Sequence, residues 1–222
     1  MGINIISLII LIIQINLFKN LYVGKNITEN EKGEIGNYSY ELWKEDGDKA
    51  IMTLNGEGKF SCSWENAKNV LFLIGKRWNS TKTYKEIGNI KANFEFEFNS
   101  NSTYHYGIYG WTQYPLIEFF IMENWEMPPL NSEKLGTISV DGSTYDMYKT
   151  RLNFGFDTET IIQLWNIRRK KRNKGTVSVN EHFKAWEENG NKLGKMYEVT
   201  FCVEGYRGYG HANVTKNEII IE

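Results

Sequence analysis

Residues 92–98 alternate without a break: Phe94, Phe96 and Phe98 fall on one face of an extended strand, and Glu95 and Glu97 on the other. A helix would scatter those rings around its circumference, so the segment reads as a half-buried strand. The same pattern governs the chain from about residue 36 onward. Residues 38–43 (Tyr-Ser-Tyr-Glu-Leu-Trp) run into a turn at Glu45-Asp-Gly-Asp48, and residues 50–54 into Asn55-Gly-Glu-Gly58, both of them hairpin signals. After a turn at residues 99–102, the run 103–111 places Tyr109 and Trp111 on a shared face. One stretch reads as helical, residues 181–188, with Ser178 or Asn180 as the cap and Asn189-Gly190 as the stop. Within it, Phe183 and Trp186 share the buried stripe. With 222 residues, only 3 Pro, no Ser/Thr-rich linker and no repeat, a second domain has nothing to mark it. The fold class expected is all-β: a β-jelly roll of two curved antiparallel sheets with a single α-helix.

Aromatic residues make up 14% of the chain, including 7 Trp and 13 Tyr, so much of its apolar surface carries a polar tip. Such rings pack cores and also line sugar-binding grooves. Strand-rich proteins favour them in any case, so the rings alone leave both readings open. A formal net charge of −1 gives no long-range field for nucleic acid or an anionic membrane. The basic run Arg168-Arg-Lys-Lys-Arg172 reads as a solvated strand end or loop. A neutral polymer suits such a surface better.

Residues 1–23 hold an apolar run of signal-peptide length followed by Gly24 and polar sequence. The expectation is a cleaved signal peptide at 1–23, a catalytic domain at 24–222, and a secreted, extracellular, monomeric protein free of membrane. The absent basic start and the Asn and Gln within the run leave an uncleaved anchor as the alternative. Asn-x-Ser/Thr triplets at Asn26, Asn37, Asn79, Asn101 and Asn213 are candidate glycan sites in a eukaryotic secretory route. Cys62 and Cys202 are an even count in a chain read as secreted, which predicts a disulfide, with two free buried thiols as the alternative. His105, His182 and His211 have no metal-like spacing, and no Gly-rich phosphate loop is present, so neither a metal nor a cofactor is expected.

Two glutamates stand out. Glu118 lies in Pro-Leu-Ile-Glu-Phe-Phe-Ile and Glu204 in Cys-Val-Glu-Gly-Tyr, each a strand-like run dense with rings. Parity puts Glu118, Phe120 and Met122 on one face, and Cys202, Glu204 and Tyr206 on one face of theirs. Taken alone, Glu118 fits the solvent side of a strand. Facing a second carboxylate across an aromatic cleft, it is half of the equipment for cutting a glycosidic bond.

Motifs along the whole chain fall in one order: Tyr38-Ser-Tyr-Glu-Leu-Trp43, Phe60-Ser-Cys-Ser-Trp64, Tyr109-Gly-Trp-Thr112, Pro115-Leu-Ile-Glu118, Glu123-Asn-Trp125, Asp141-Gly-Ser-Thr-Tyr-Asp146, Gln163-Leu-Trp-Asn-Ile-Arg168, His182-Phe-Lys-Ala-Trp186 and Glu204-Gly-Tyr206. Together they resemble family 11 of the glycoside hydrolases, the small secreted endo-β-1,4-xylanases, over about residues 36–221. The resemblance implies a cleft that binds xylan or xylo-oligosaccharides and cuts them with retention, with Glu118 as nucleophile and Glu204 as acid/base. It implies Trp43 as a xylose-stacking ring, Tyr109 beside the nucleophile, Gln163 as a cleft amide, Arg151 as a buried-side cation near the catalytic strand, and Asn69 next to the acid/base. Trp111 and Tyr206, on the same strand faces, join the substrate-binding set. Cys62 and Cys202 look like a pair found in some members of the family.

The chain departs from that family at the thumb loop, residues 152–159, which lacks the usual Pro-Ser-Ile tip. It departs also at Phe120, where a second cleft tyrosine is common, at Gln113-Tyr114, and in a shortened cord, residues 126–130. The rival readings are a family-12-like β-1,4-glucanase and a non-catalytic carbohydrate-binding jelly roll.

Overall fold

The computed structural model describes residues 23–129, 131–153 and 160–222. The expected signal peptide, except for Val23, and most of the expected thumb loop lie outside the described residues. Two sheets face each other. The smaller runs, in spatial order, β1 (Lys25–Ile27), β4 (Lys49–Gly56), β5 (Lys59–Glu65), β15 (Tyr209–Ile221), β7 (Ile90–Ser100) and β13 (Lys174–Ser178). The larger runs β10 (Glu133–Val140), β11 (Ser143–Leu152), β12 (Ile161–Arg168), β9 (Ile117–Trp125), β8 (Thr103–Gln113), β14 (Lys195–Tyr206), β6 (Val70–Arg77), β3 (Tyr38–Lys44) and β2 (Glu31–Ile35). This is a jelly roll. Neighbouring strands are antiparallel except for β12 on β9, which run parallel.

The alternation read in residues 92–98 fills the space between the sheets. Phe94 and Phe96 of β7 are buried and pack on Phe201 of β14 with ring centroids 5.5 Å away in each case, while Glu95 and Glu97 point outward. Burying a side chain of that size is worth about 1.5–3 kcal/mol. The expected helix is found as α2 (Val179–Glu188), with Phe183 and Trp186 fully buried against Phe119 of β9. A one-turn helix, α1 (Tyr84–Ile87), is an addition to the single helix expected. At the start of α2, Asp141 accepts hydrogen bonds from the Ser178 backbone N–H and hydroxyl, both at 2.8 Å, in place of a cap made by Ser178 itself.

The second face of the larger sheet is also covered. Leu71, Leu73, Phe120, Met122, Trp165 and Cys202 form a separate apolar layer there. This layer explains why the disulfide expectation fails. Cys202 belongs to it, on the face shared with Glu204, whereas Cys62 lies with Phe60 and Trp64 in the core between the sheets. The backbone of the larger sheet separates the two side chains, and both are buried free thiols.

The basic run is also less solvated than expected. Arg168 is buried and donates to the Tyr145 hydroxyl at 2.7 Å, and Arg172 pairs with Glu123, which is fully buried and also accepts from the Tyr145 hydroxyl at 2.6 Å. Only the middle of the run faces water, where Arg169 forks onto Asp146 at 2.8 and 2.9 Å.

Burial pushes both thiols up, Cys202 most strongly, so neither reacts while the protein is folded. A thiol reagent added without reductant is expected to find no reactive cysteine in the native protein and both after denaturation, with a thermal midpoint that reductant leaves unchanged. A midpoint that drops on reduction would show a disulfide after all.

Candidate active site

Three adjacent strands, β9, β8 and β14, supply the floor of a cleft of about 870 Å³ on the outer face of the larger sheet. Alternation decides what each strand contributes. On β9, Ile117, Phe119 and Ile121 go to the core, leaving Glu118 and Phe120 for the cleft; on β14, Val203 goes to the core and Glu204 to the cleft. On β8, the odd-numbered His105, Tyr109 and Trp111 line the cleft, while Tyr104, Tyr106 and Ile108 pack inward. Thus Glu118 and Glu204, far apart in sequence, share one cleft.

Glu118 is 9% exposed, and both of its oxygens are held. Tyr109 donates to Oε1 at 2.8 Å from the neighbouring strand β8, and Gln163 donates Nε2–H to Oε2 at 2.7 Å from its register partner position on β12. Trp111 Nε1 donates in turn to the Tyr109 hydroxyl at 2.5 Å, fixing that phenol. Burial raises the Glu118 carboxyl from 4.5 to about 7; the Gln163 and Tyr109 donors oppose the rise, and the charges of Glu204 and Glu198 add to it.

Glu204 is 3% exposed. Its Oε1 accepts from the Tyr206 hydroxyl at 2.5 Å, and its Oε2 lies 2.9 Å from Nδ1 of His105. Burial first, then the charge on Glu204, keeps the Tyr206 phenol protonated and therefore a donor. Phe120 stacks flat on Trp165, ring centroids 3.6 Å apart and planes 2° from parallel, and Trp165 turns its edge to His105 at 5.5 Å. The ring at position 120 has no hydroxyl to offer Glu204. His105 holds the second carboxyl oxygen instead.

Trp43 of β3 lines the cleft with 38% of its surface open, as a stacking ring requires. Asn69 also lines it, but among the described residues its Oδ1 has no hydrogen-bond partner, and the groups on Glu204 are His105 and Tyr206. Arg151 is a correction. It lies on β11 between Thr150 and Leu152, which face the cleft, so alternation turns it to the opposite side, where it is exposed.

Two features escaped the sequence reading. His105 is one; its shared parity with Tyr109 and Trp111 on β8 was the available signal. The other is a charged cluster at one end of the cleft, where Arg77 Nη2 bridges Glu198 at 3.0 Å and Glu41 at 3.3 Å. Glu198 and Arg77 sit directly opposite each other on β14 and β6, a pairing that only the sheet register reveals.

The family model for glycosyl hydrolases family 11 matches residues 35–215. The chain is 48% identical over 202 residues to Endo-1,4-beta-xylanase A of Thermoclostridium stercorarium, covering 89% of this chain and 31% of that protein. It is 44% identical over 200 residues to Endo-1,4-beta-xylanase A of Bacillus pumilus, covering 89% and 87%. It thus spans about a third of the first relative and most of the second. The crystal structure of wild-type ENZbleach xylanase superimposes with a TM-score of 0.82 at 29% identity, over 90% of this chain and 87% of that one. By the match along nearly its whole described length, this chain belongs to family 11 of the glycosyl hydrolases.

Proposed function

We propose that this protein is a secreted, monomeric endo-β-1,4-xylanase that cuts internal bonds of xylan or xylo-oligosaccharides with retention, using Glu118 as nucleophile and Glu204 as acid/base. The observation that carries the reading is the pair of buried carboxylates in one ring-lined cleft. The relatives named as xylanases support the substrate class, and the apolar opening at residues 1–23 supports export.

The hydrogen bonding divides the labour. Glu118 receives two neutral donors, Tyr109 and Gln163, which favour its ionised form and aim its oxygens. In the first step Glu118 bonds to the anomeric carbon while the glycosidic C–O bond breaks and Glu204 gives its proton to the leaving oxygen. Forming the ester removes the charge at Glu118. In the second step Glu204 takes a proton from water, the water oxygen bonds to the anomeric carbon, and Glu118 leaves as a carboxylate. The exposed face of Trp43 offers a platform for a pyranose ring beside the reacting one.

Glu118→Gln and Glu204→Gln are each expected to lower turnover on xylan by about 10²–10⁴-fold or more, with the parent cutting xylan in preference to carboxymethyl cellulose. Near-parental turnover in either variant overturns the site assignment, and preference for the cellulose derivative favours a glucanase.

The raised Glu118 carboxyl has two consequences. A nucleophile must be ionised, so kcat/KM is expected to fall as pH drops through about 7, not near 4.5 as for an ordinary glutamate. Between those two values the folded protein binds a proton that the unfolded chain releases, so Glu118 makes stability decline as pH rises through that window. Glu118→Gln is therefore expected to stabilise the fold at about pH 8 by about 1–3 kcal/mol, read as a higher thermal midpoint, and to do less at about pH 4. An equal effect at both pH values would contradict the burial of a charge at this position.

A further inference from the structure

The His105 ring is held at both nitrogens. Nε2 lies 2.9 Å from the Met127 carbonyl oxygen, and Nδ1 lies 2.9 Å from Glu204 Oε2. A carbonyl only accepts, so Nε2 carries a hydrogen. The Nδ1 contact then needs a hydrogen from one side or the other: a carboxyl O–H donating to the ring, or a charged ring donating to a carboxylate. With neither, a nitrogen lone pair would face a carboxylate inside a buried site, which is repulsive. The geometry points to His105 as a positioning residue for the acid/base: imidazole and carboxyl hold one proton between them, so the imidazole helps keep a proton available for the leaving oxygen.

This inference rests on reading Glu204 as the acid/base. The groups that face the pair agree with it. From β14 comes Tyr206, a donor to the other carboxyl oxygen, its ring 5.8 Å from His105. From β12 comes Trp165 and from residue 127 a carbonyl, neither of them titratable. Across the cleft stands Glu118 on β9, close enough for its charge and that of Glu204 to act on each other. Negative charge on Glu118 favours keeping the shared proton. Burial works against a charged ring, yet the contacts with Glu204 and the Met127 carbonyl outweigh it and raise His105 above 6.5.

The proton balance follows both steps of the reaction. When the glycosidic C–O bond breaks, the shared proton leaves from Glu204 to the departing oxygen. Glu204 is then an ionised carboxylate beside the Nδ1 lone pair, which makes it a stronger base. The proton it next takes from water restores the pair.

His105→Gln keeps an N–H donor but cannot titrate, and His105→Phe removes both properties. The test is kcat/KM against pH on a soluble xylo-oligosaccharide and on a dinitrophenyl xylobioside, whose leaving group needs no proton. In both variants the alkaline limb on the xylo-oligosaccharide is expected to move down by about one pH unit or more, and at about pH 8 the loss there should exceed the loss on the dinitrophenyl substrate by about tenfold. An alkaline limb that stays in place overturns the inference. A measurement that leaves His105 in place guards against His105 variants that fail to fold: nitrogen NMR of His105 should show hydrogen on Nε2 in the parent and a titration that moves down in Glu204→Gln. A titration indifferent to Glu204 also overturns it. Loss of xylan cleavage in Glu204→Gln with an unmoved His105 limb would defeat proton sharing alone, whereas retained cleavage in Glu204→Gln would defeat the acid/base reading beneath it.

Discussion

Every strand at the centre of the larger sheet has two faces to satisfy, and the period-two alternation of its side chains is the constraint from which the site follows. Inward residues of β8, β9 and β14 build a conventional aromatic core with β7. Outward residues are freed from that duty without being released to water, because a second apolar layer of Leu71, Leu73, Phe120 and Trp165 covers them. A carboxylate on that face is buried yet reachable from a cleft. A register shift between β8 and β9 at Tyr106/Gly107 lies next to His105, the β8 partner of Glu204, and another in β14 between Met196 and Glu198 lies opposite Trp111, the β8 partner of Glu118, so the sheet bends beside each glutamate.

Burying charge in this sheet costs stability, and the cost is met unevenly. Glu123 has Arg172 and the Tyr145 hydroxyl, and Glu198 has Arg77, so these carboxylates have cationic partners. Among the described residues, the donors to Glu118 are neutral, Tyr109 and Gln163. Pairing Glu118 with an arginine would stabilise the carboxylate but blunt the nucleophilic role proposed for it, so a raised carboxyl and a less stable fold are what that proposal entails. Glu204 stands between these cases, with a phenol on one oxygen and an imidazole on the other.

What could be read from the sequence is what alternation and local chemistry encode. The Phe94-Phe96-Phe98 face, the helix ending at Asn189-Gly190, and the parity of Glu118 with Phe120 all follow from neighbours a few residues away. What could not be read depends on register between distant segments. Counting cysteines carries no information on which face of a sheet each one occupies, and Cys62 and Cys202 occupy different ones. Arg151 follows alternation faithfully, but from a β11 phase that its motif alone does not reveal. His105 looks like an ordinary strand histidine until β14 is laid beside β8 and brings up Glu204 from 99 residues away. Arg168 and Arg172 look solvated until the buried Glu123 is found beneath them.

The central claim is that two acidic side chains take different parts in one displacement, with a sugar attached to the first of them midway. A mechanism-based 2-fluoro-xylobioside slows release of that intermediate, so mass spectrometry of the digested protein reads the attachment point directly. A single adduct on the peptide containing Glu118, absent when Glu118 is replaced by Gln, is the predicted result. No adduct in an enzyme that is turning over xylan, or an adduct on Glu204, would contradict the account.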